Sequence, residues 1–207
     1  MAEESSDPKP AHESEIKVQG EAVNNIHAHN VHLTYGSAGD VQANTAHISQ
    51  AGVNSLKADN VELRQGGAQT VQGGEVNIRQ GAAVQITADK LSVVQGGLVY
   101  ADTKEANLTA STVGVVLSGG NANLDQSAAR AILAKGDVTI DQGGSGIVIG
   151  RRIRTGDNSG TILMLAGRVD GNVNSVFGPA SSAAFGAAFA LVIALIIWLR
   201  NQLAADK

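Results

Sequence analysis

The chain has 207 residues, no cysteine, and 15 Lys+Arg against 19 Asp+Glu, a formal net charge of −4. The missing cysteine excludes a disulfide framework, thiolate zinc sites and cysteine catalysis, and the near-balanced charge gives no support to nucleic-acid binding. Phe177, Phe185, Phe189 and Trp198 leave Tyr35 and Tyr100 as the only rings before them, thin material for an ordinary globular core and a pointer to a repeat protein.

Residues 1–15 carry five acids, one lysine and two of the three prolines, with no apolar run. They predict a disordered acidic tail. The rest of the chain then holds 14 acidic and 14 basic residues, 19 less five and 15 less one, so the acidity belongs to the tail. No basic segment followed by an apolar stretch opens the sequence, and a cleaved signal peptide is not expected.

From residue 16 the chain repeats. Val31-x-Leu33-x-Tyr35 is followed by Ala46-x-Ile48-x-Gln50, Val61-x-Leu63-x-Gln65, Val76-x-Ile78-x-Gln80, Leu91-x-Val93-x-Gln95 and Ala106-x-Leu108-x-Ala110, each step 15 residues long. Ala122-x-Leu124-x-Gln126 and Val138-x-Ile140-x-Gln142 each arrive one residue late. A second apolar column precedes the first by five residues, at Ile26, Val41, Leu56, Val71 and Ile86. Alternation every second residue turns one face of a short strand inward. Paired polar or glycine residues turn the chain between strands. A period of 15 is too short for a helix pair or a propeller blade and suits one coil of a parallel β-solenoid, whose coils bury their apolar edges only by stacking. The expected fold is therefore all-β over residues 16–174, about ten coils at about 4.8 Å spacing, a rod on the order of 45 Å long.

Candidate sites within the coils are few. Gln50, Gln65, Gln80 and Gln95 form a column that shares the parity of the inward residues, and stacked amides can hydrogen-bond from coil to coil. This column is expected to be a structural ladder at a corner rather than a glycan-binding row. All five histidines lie within residues 12–47. His27 and His29 share a strand face, and His32 and His47 occupy equivalent positions and should stack. Such an array could hold a transition metal, but no carboxylate completes it at a convincing spacing, so outward-facing polar histidines are expected. Acids occur singly (Asp59, Asp89, Asp125, Asp141), no nucleophile–base pair stands out, and the Gln-Gly-Gly strings do not lead into a helix as a nucleotide fingerprint requires. No enzyme activity, cofactor or metal is expected.

Arg151, Arg152 and Arg154 form the one basic cluster. It falls in the last coils, where such residues can touch anionic lipid headgroups at roughly 1 kcal/mol each. Beyond it, residues 171–199 contain no charge. Starting at Ala180, 20 residues make about 30 Å of helix, roughly the hydrocarbon thickness of a bilayer, with Pro179 suited to its first turn and Trp198 and Arg200 at its far end. Residues 175–200 are accordingly expected to be a single transmembrane α-helix, and 201–207 a short polar tail. More basic residues precede the span than follow it, which places the solenoid on the cytoplasmic side. Gly178, Ser182, Gly186, Ala190 and Ala194 recur every four residues, a small-residue stripe that lets two helices approach closely. A solenoid also ends in two edges of unpaired backbone that invite end-to-end stacking unless capped, and no amphipathic capping helix precedes Ile16-Lys17-Val18.

The glycine-punctuated coils, the polar tail, and the phrases Lys135-Gly-Asp-Val-Thr-Ile140 and Ala166-Gly-Arg-Val-Asp-Gly-Asn-Val173 resemble bactofilins, polymer-forming bacterial cytoskeletal proteins. The resemblance covers roughly residues 16–174 and implies a nucleotide-independent, membrane-associated β-helix that polymerises. The regular Gln-Gly-Gly repeat and the C-terminal apolar segment depart from that family, and no residue role carries over. Together these readings describe a membrane-anchored scaffold that self-associates, with membrane lipid, a second copy and other membrane proteins as partners. The alternative is a membrane-anchored binding module, such as a glycan-binding stalk, or an accessory subunit of a larger membrane complex.

Overall fold

The structure, a computed structural model, describes residues 15–171 and the backbone of residues 174 and 175. The described chain is a parallel β-solenoid. The first strands are short: β1 (Glu15–Gln19), β2 (Ala22–His27) and β3 (Asn30–Thr34). Five long strands follow, each bending once around the rod: β4 (Ser37–Ser49), β5 (Gly52–Arg64), β6 (Gly67–Arg79), β7 (Ala82–Val94) and β8 (Gly97–Thr109). Then come β9 (Thr112–Ser118), β10 (Ala122–Asp125), β11 (Ala128–Ala134), β12 (Asp137–Asp141), β13 (Gly144–Thr155), β14 (Gly160–Gly171) and β15 (Asn174–Ser175). All join one parallel sheet that winds along the rod.

The register follows from the period. Val31 pairs with Ala46, Ala46 with Val61, Val61 with Val76 and Val76 with Leu91. From β8 to β10 the step becomes 16, with Ala106 opposite Ala122, and the extra residue is absorbed at the corner containing Gly119 and Gly120. The step from Val138 to Ile153 returns to 15. Each register column fills the interior with aliphatic side chains. Leu33, Ile48, Leu63 and Ile78 stack on one side, and Ile26, Val41, Leu56, Val71 and Ile86 on another, all 2% exposed or less. A coil this small has no room for rings, which accounts for their scarcity. Dispersion between stacked aliphatic side chains and their removal from water hold the rod together.

One corner recurs in a conformation unusual for residues with a side chain. Tyr35, Gln50, Gln65, Gln80, Gln95, Ala110, Gln126 and Gln142 all have φ between 48° and 56°. For an L-residue this left-handed conformation costs roughly 1–2 kcal/mol. Hydrogen bonds at the corner oppose that cost. Gln65 N donates to Arg79 O at 3.0 Å and Gly67 N donates to Ala51 O at 3.1 Å, so coil-to-coil bonding runs through the turn.

The sequence-predicted tail lies almost wholly outside the described residues, as do the span and the small-residue stripe Gly178, Ser182, Gly186, Ala190 and Ala194. Among the described residues no helix is long and apolar enough to cross a membrane.

Candidate functional site

The glutamine column is an external ladder. Gln50 Nε2 donates to Gln65 Oε1 at 2.8 Å, Gln65 Nε2 to Gln80 Oε1 at 3.1 Å, and Gln80 Nε2 to Gln95 Oε1 at 3.2 Å. Gln126 Nε2 donates to Gln142 Oε1 at 3.3 Å further along. Alternation parity would turn these side chains inward. The left-handed backbone at each of them breaks the alternation and swings the side chain out at the corner, where all four are exposed. At Ala110 the ladder is interrupted, and the next residue takes over the corner's polar duties. The buried Ser111 hydroxyl donates to Thr109 O at 2.7 Å and accepts from Gly96 N at 3.2 Å.

The histidines divide into two groups. His32 and His47 stack with ring centroids 4.8 Å apart and an interplanar angle of 18°. Their column continues into Lys17 below and Glu62 above. His47 Nδ1 lies 3.0 Å from Glu62 Oε2, and His32 Nε2 lies 3.7 Å from Glu15. Arg64 clamps the other Glu62 oxygen through Nε at 2.8 Å. The Arg64 hydrogen bond is the chief cause of the lowered Glu62 pKa; desolvation works against it, and the His47 hydrogen bond adds to the lowering. His27 and His29 flank a separate shallow depression with Gln42 and Asn44. Among the described residues no three His, Asp or Glu side chains converge to hold a metal ion.

Two of the three arginines converge on one carboxylate, that of Asp137. Arg151 stands at a corner, 3.2 Å from Asp137. Arg152 lies on the next side of the rod, between Asp137 at 3.5 Å and Asp170 at 3.7 Å. Arg154 is exposed on that same side, two residues along β13. Arg151 and Arg152 remain neighbours through their shared contact with Asp137.

Two features were not read from the sequence. The first is a groove of about 820 Å³ running lengthwise along the rod from Ala22 to Thr112. Its floor is made of small residues in register, Gly52, Gly67, Ala82 and Gly97, its wall includes Val84 and Val99, and no charged residue lines it. The second is an apolar outer face on the C-terminal coils, where Ile147, Ile149, Leu163 and Leu165 are each between 37% and 53% exposed. Segments such as Gly146-Ile147-Val148-Ile149, apolar on both parities, were the available signal.

The longest turn between consecutive strands up to β14 is residues 156–159. Compared with known proteins, the chain matches no family model, no curated protein and no solved structure.

Proposed function

We propose that this chain is a non-enzymatic, membrane-anchored β-solenoid scaffold that self-associates end to end, in the manner of bactofilin-like polymers. One observation carries the reading. The outer edge of the first coil is open among the described residues: β1 pairs only with β3, and β2 only with β4. Ile16, Val18 and Val23 sit at that edge half-buried, against a core whose next members Val31 and Leu33 are fully covered. A parallel edge with free N–H and C=O groups and half-covered aliphatics is a template for another strand.

The charges at the two ends of the described ladder support a second copy as that strand's source. Ile16 and Val169 belong to the same register column, through Val31 at one end and Ile153 at the other. A second copy continuing the ladder sets its Glu15 opposite Arg168 and its Lys17 opposite Asp170. Each end already holds its own pair, Lys17–Glu15 at 3.1 Å and Arg168–Asp170 at 2.9 Å, so stacking makes a square of alternating charge. In this reading the apolar segment 180–199 anchors the rod from the cytoplasmic side. The groove supports the alternative of a binding module, since a long uncharged trough suits an extended ligand.

The test is sedimentation velocity of the full chain in detergent over a concentration series. Reversing one end, Glu15→Arg with Lys17→Glu, should lower the assembled fraction, and adding Arg168→Glu with Asp170→Arg should restore it. An unchanged size distribution after the single-end reversal would contradict end-to-end association.

A further inference from the structure

One side of the rod changes character halfway along. Its two outward columns begin polar: Asp40, Ser55, Thr70 and Gln85 stack in the first, and Gln42, Lys57, Gln72 and Thr87 in the second. Past Tyr100 and Asp102 the same columns become aliphatic. Val115, Ala131, Ile147 and Leu163 continue the first. Leu117, Leu133, Ile149 and Leu165 continue the second. Ile162, 55% exposed, widens the patch at its far end. These side chains point away from the core, whose own column on this side is Val116, Ile132 and Val148, all fully buried. A contiguous apolar face of this kind marks a contact surface.

Its borders and its position identify the partner. Lys135 and Arg151 stand exposed at the corner that closes one long edge, Arg151 also pairing with Asp137 at 3.2 Å, and Arg130 stands exposed beside the other. No acidic residue lies in either aliphatic column. Ser175 stacks on Thr161, immediately before Ile162 and Leu163. From Ser175 to Ala180 the chain can reach at most about 17 Å, which bounds how far from this face the uncharged segment 180–199 can begin.

We propose that the aliphatic face of the C-terminal coils lies against a bilayer surface containing anionic lipid, with Arg130, Lys135 and Arg151 at the headgroups and Ile147, Ile149, Leu163 and Leu165 at the acyl boundary. Apolar side chains rimmed by Lys and Arg are the pattern of an interfacial membrane contact. The proposal rests on the reading that residues 180–199 span the membrane, which brings the face to the bilayer. It goes beyond that reading by laying the last coils on their side rather than leaving the rod upright on a tether.

The native chain has no cysteine, so single cysteines can be labelled selectively. The full chain is reconstituted into liposomes of phosphatidylcholine and phosphatidylglycerol with a nitroxide at Ile149→Cys or Leu165→Cys, and at Lys57→Cys or Thr87→Cys as references in the polar half of the same column. All four positions face outward, and circular dichroism checks that each variant keeps the wild-type fold. The expected result is a change of sign along the column: labels at 149 and 165 relaxed by oxygen and shielded from a water-soluble nickel chelate, labels at 57 and 87 the reverse. Labels at 149 and 165 as open to the chelate as those at 57 and 87 would overturn the proposal. So would shielding from both reagents, with spin–spin broadening then pointing to a second copy and its lack to the chain's own C-terminal segment. Alkaline carbonate extraction separates the two readings. A chain that resists extraction but shows water-exposed labels keeps the span and loses the face; a chain that is extracted but shows oxygen-exposed labels before extraction keeps the face and loses the span.

Discussion

Replacing Gln80 isolates the two opposing effects at the recurring corner. Gln80 is held at φ 54°, accepts from Gln65 at 3.1 Å and donates to Gln95 at 3.2 Å. Gln80→Ala removes both amide bonds and keeps the left-handed backbone. With each exposed hydrogen bond contributing about 0.5–1 kcal/mol net, the loss is about 1–2 kcal/mol. Gln80→Gly loses the same bonds but relieves roughly 1–2 kcal/mol of left-handed strain, offset by about 0.5–1 kcal/mol of extra backbone entropy in the unfolded chain. The glycine variant should therefore be about 0.5–1 kcal/mol more stable than the alanine variant and about 0.5–1 kcal/mol less stable than wild type. Thermal and urea unfolding of the full chain, followed by far-ultraviolet circular dichroism, measures the order. A double-mutant cycle of Gln65→Ala with Gln80→Ala should give a coupling of about 0.5–1 kcal/mol, the bond they share. Equal stability of the alanine and glycine variants, with no coupling to Gln65, would refute the reasoning.

Two further outcomes follow from the core and the histidine column. Leu63 is fully buried between Ile48 and Ile78, and Leu63→Ala removes three carbons at about 0.8 kcal/mol each and leaves a cavity, for a total of about 3–4 kcal/mol. Leu133→Ala, at a position 39% exposed, should cost less than about 1 kcal/mol, and parity between the two in a melting experiment would contradict the inward and outward assignment. Glu62 has a lowered pKa, from the Arg64 hydrogen bond first, with His47 adding to it against desolvation. A carboxyl whose folded pKa is depressed stabilises the fold above its unfolded value, and that contribution disappears as pH falls through the folded value. Melting temperature should then decline on acidification below about pH 4.3, the ordinary glutamate range, and Glu62→Gln should flatten that part of the curve; an unchanged slope in the variant would show that Glu62 does not drive it.

The period, the parallel architecture and the inward columns were legible because a stacked fold imposes the same demand on every coil. Val61 must be apolar for the reason that Val76 must be, so one-dimensional self-similarity carries three-dimensional contact. The glutamine corner was legible in position and not in direction. Parity counting assumes extended backbone, and a residue at φ near 50° cancels it, a conformation that Gln does not advertise as Gly or Asn would. The groove escaped notice because its floor is built from residues such as Gly52 and Gly67 that also serve as turn signals. The aliphatic outer face escaped because Ile147-Val148-Ile149, apolar at both parities, looks the same as a strand buried on both sides.

Electron microscopy of the full chain in detergent across a concentration series tests the self-associating scaffold most directly. The account predicts filaments that lengthen with concentration and show an axial repeat of about 4.8 Å, the spacing of stacked coils. Discrete rods on the order of 45 Å, about ten coils at that spacing, at every concentration would contradict it.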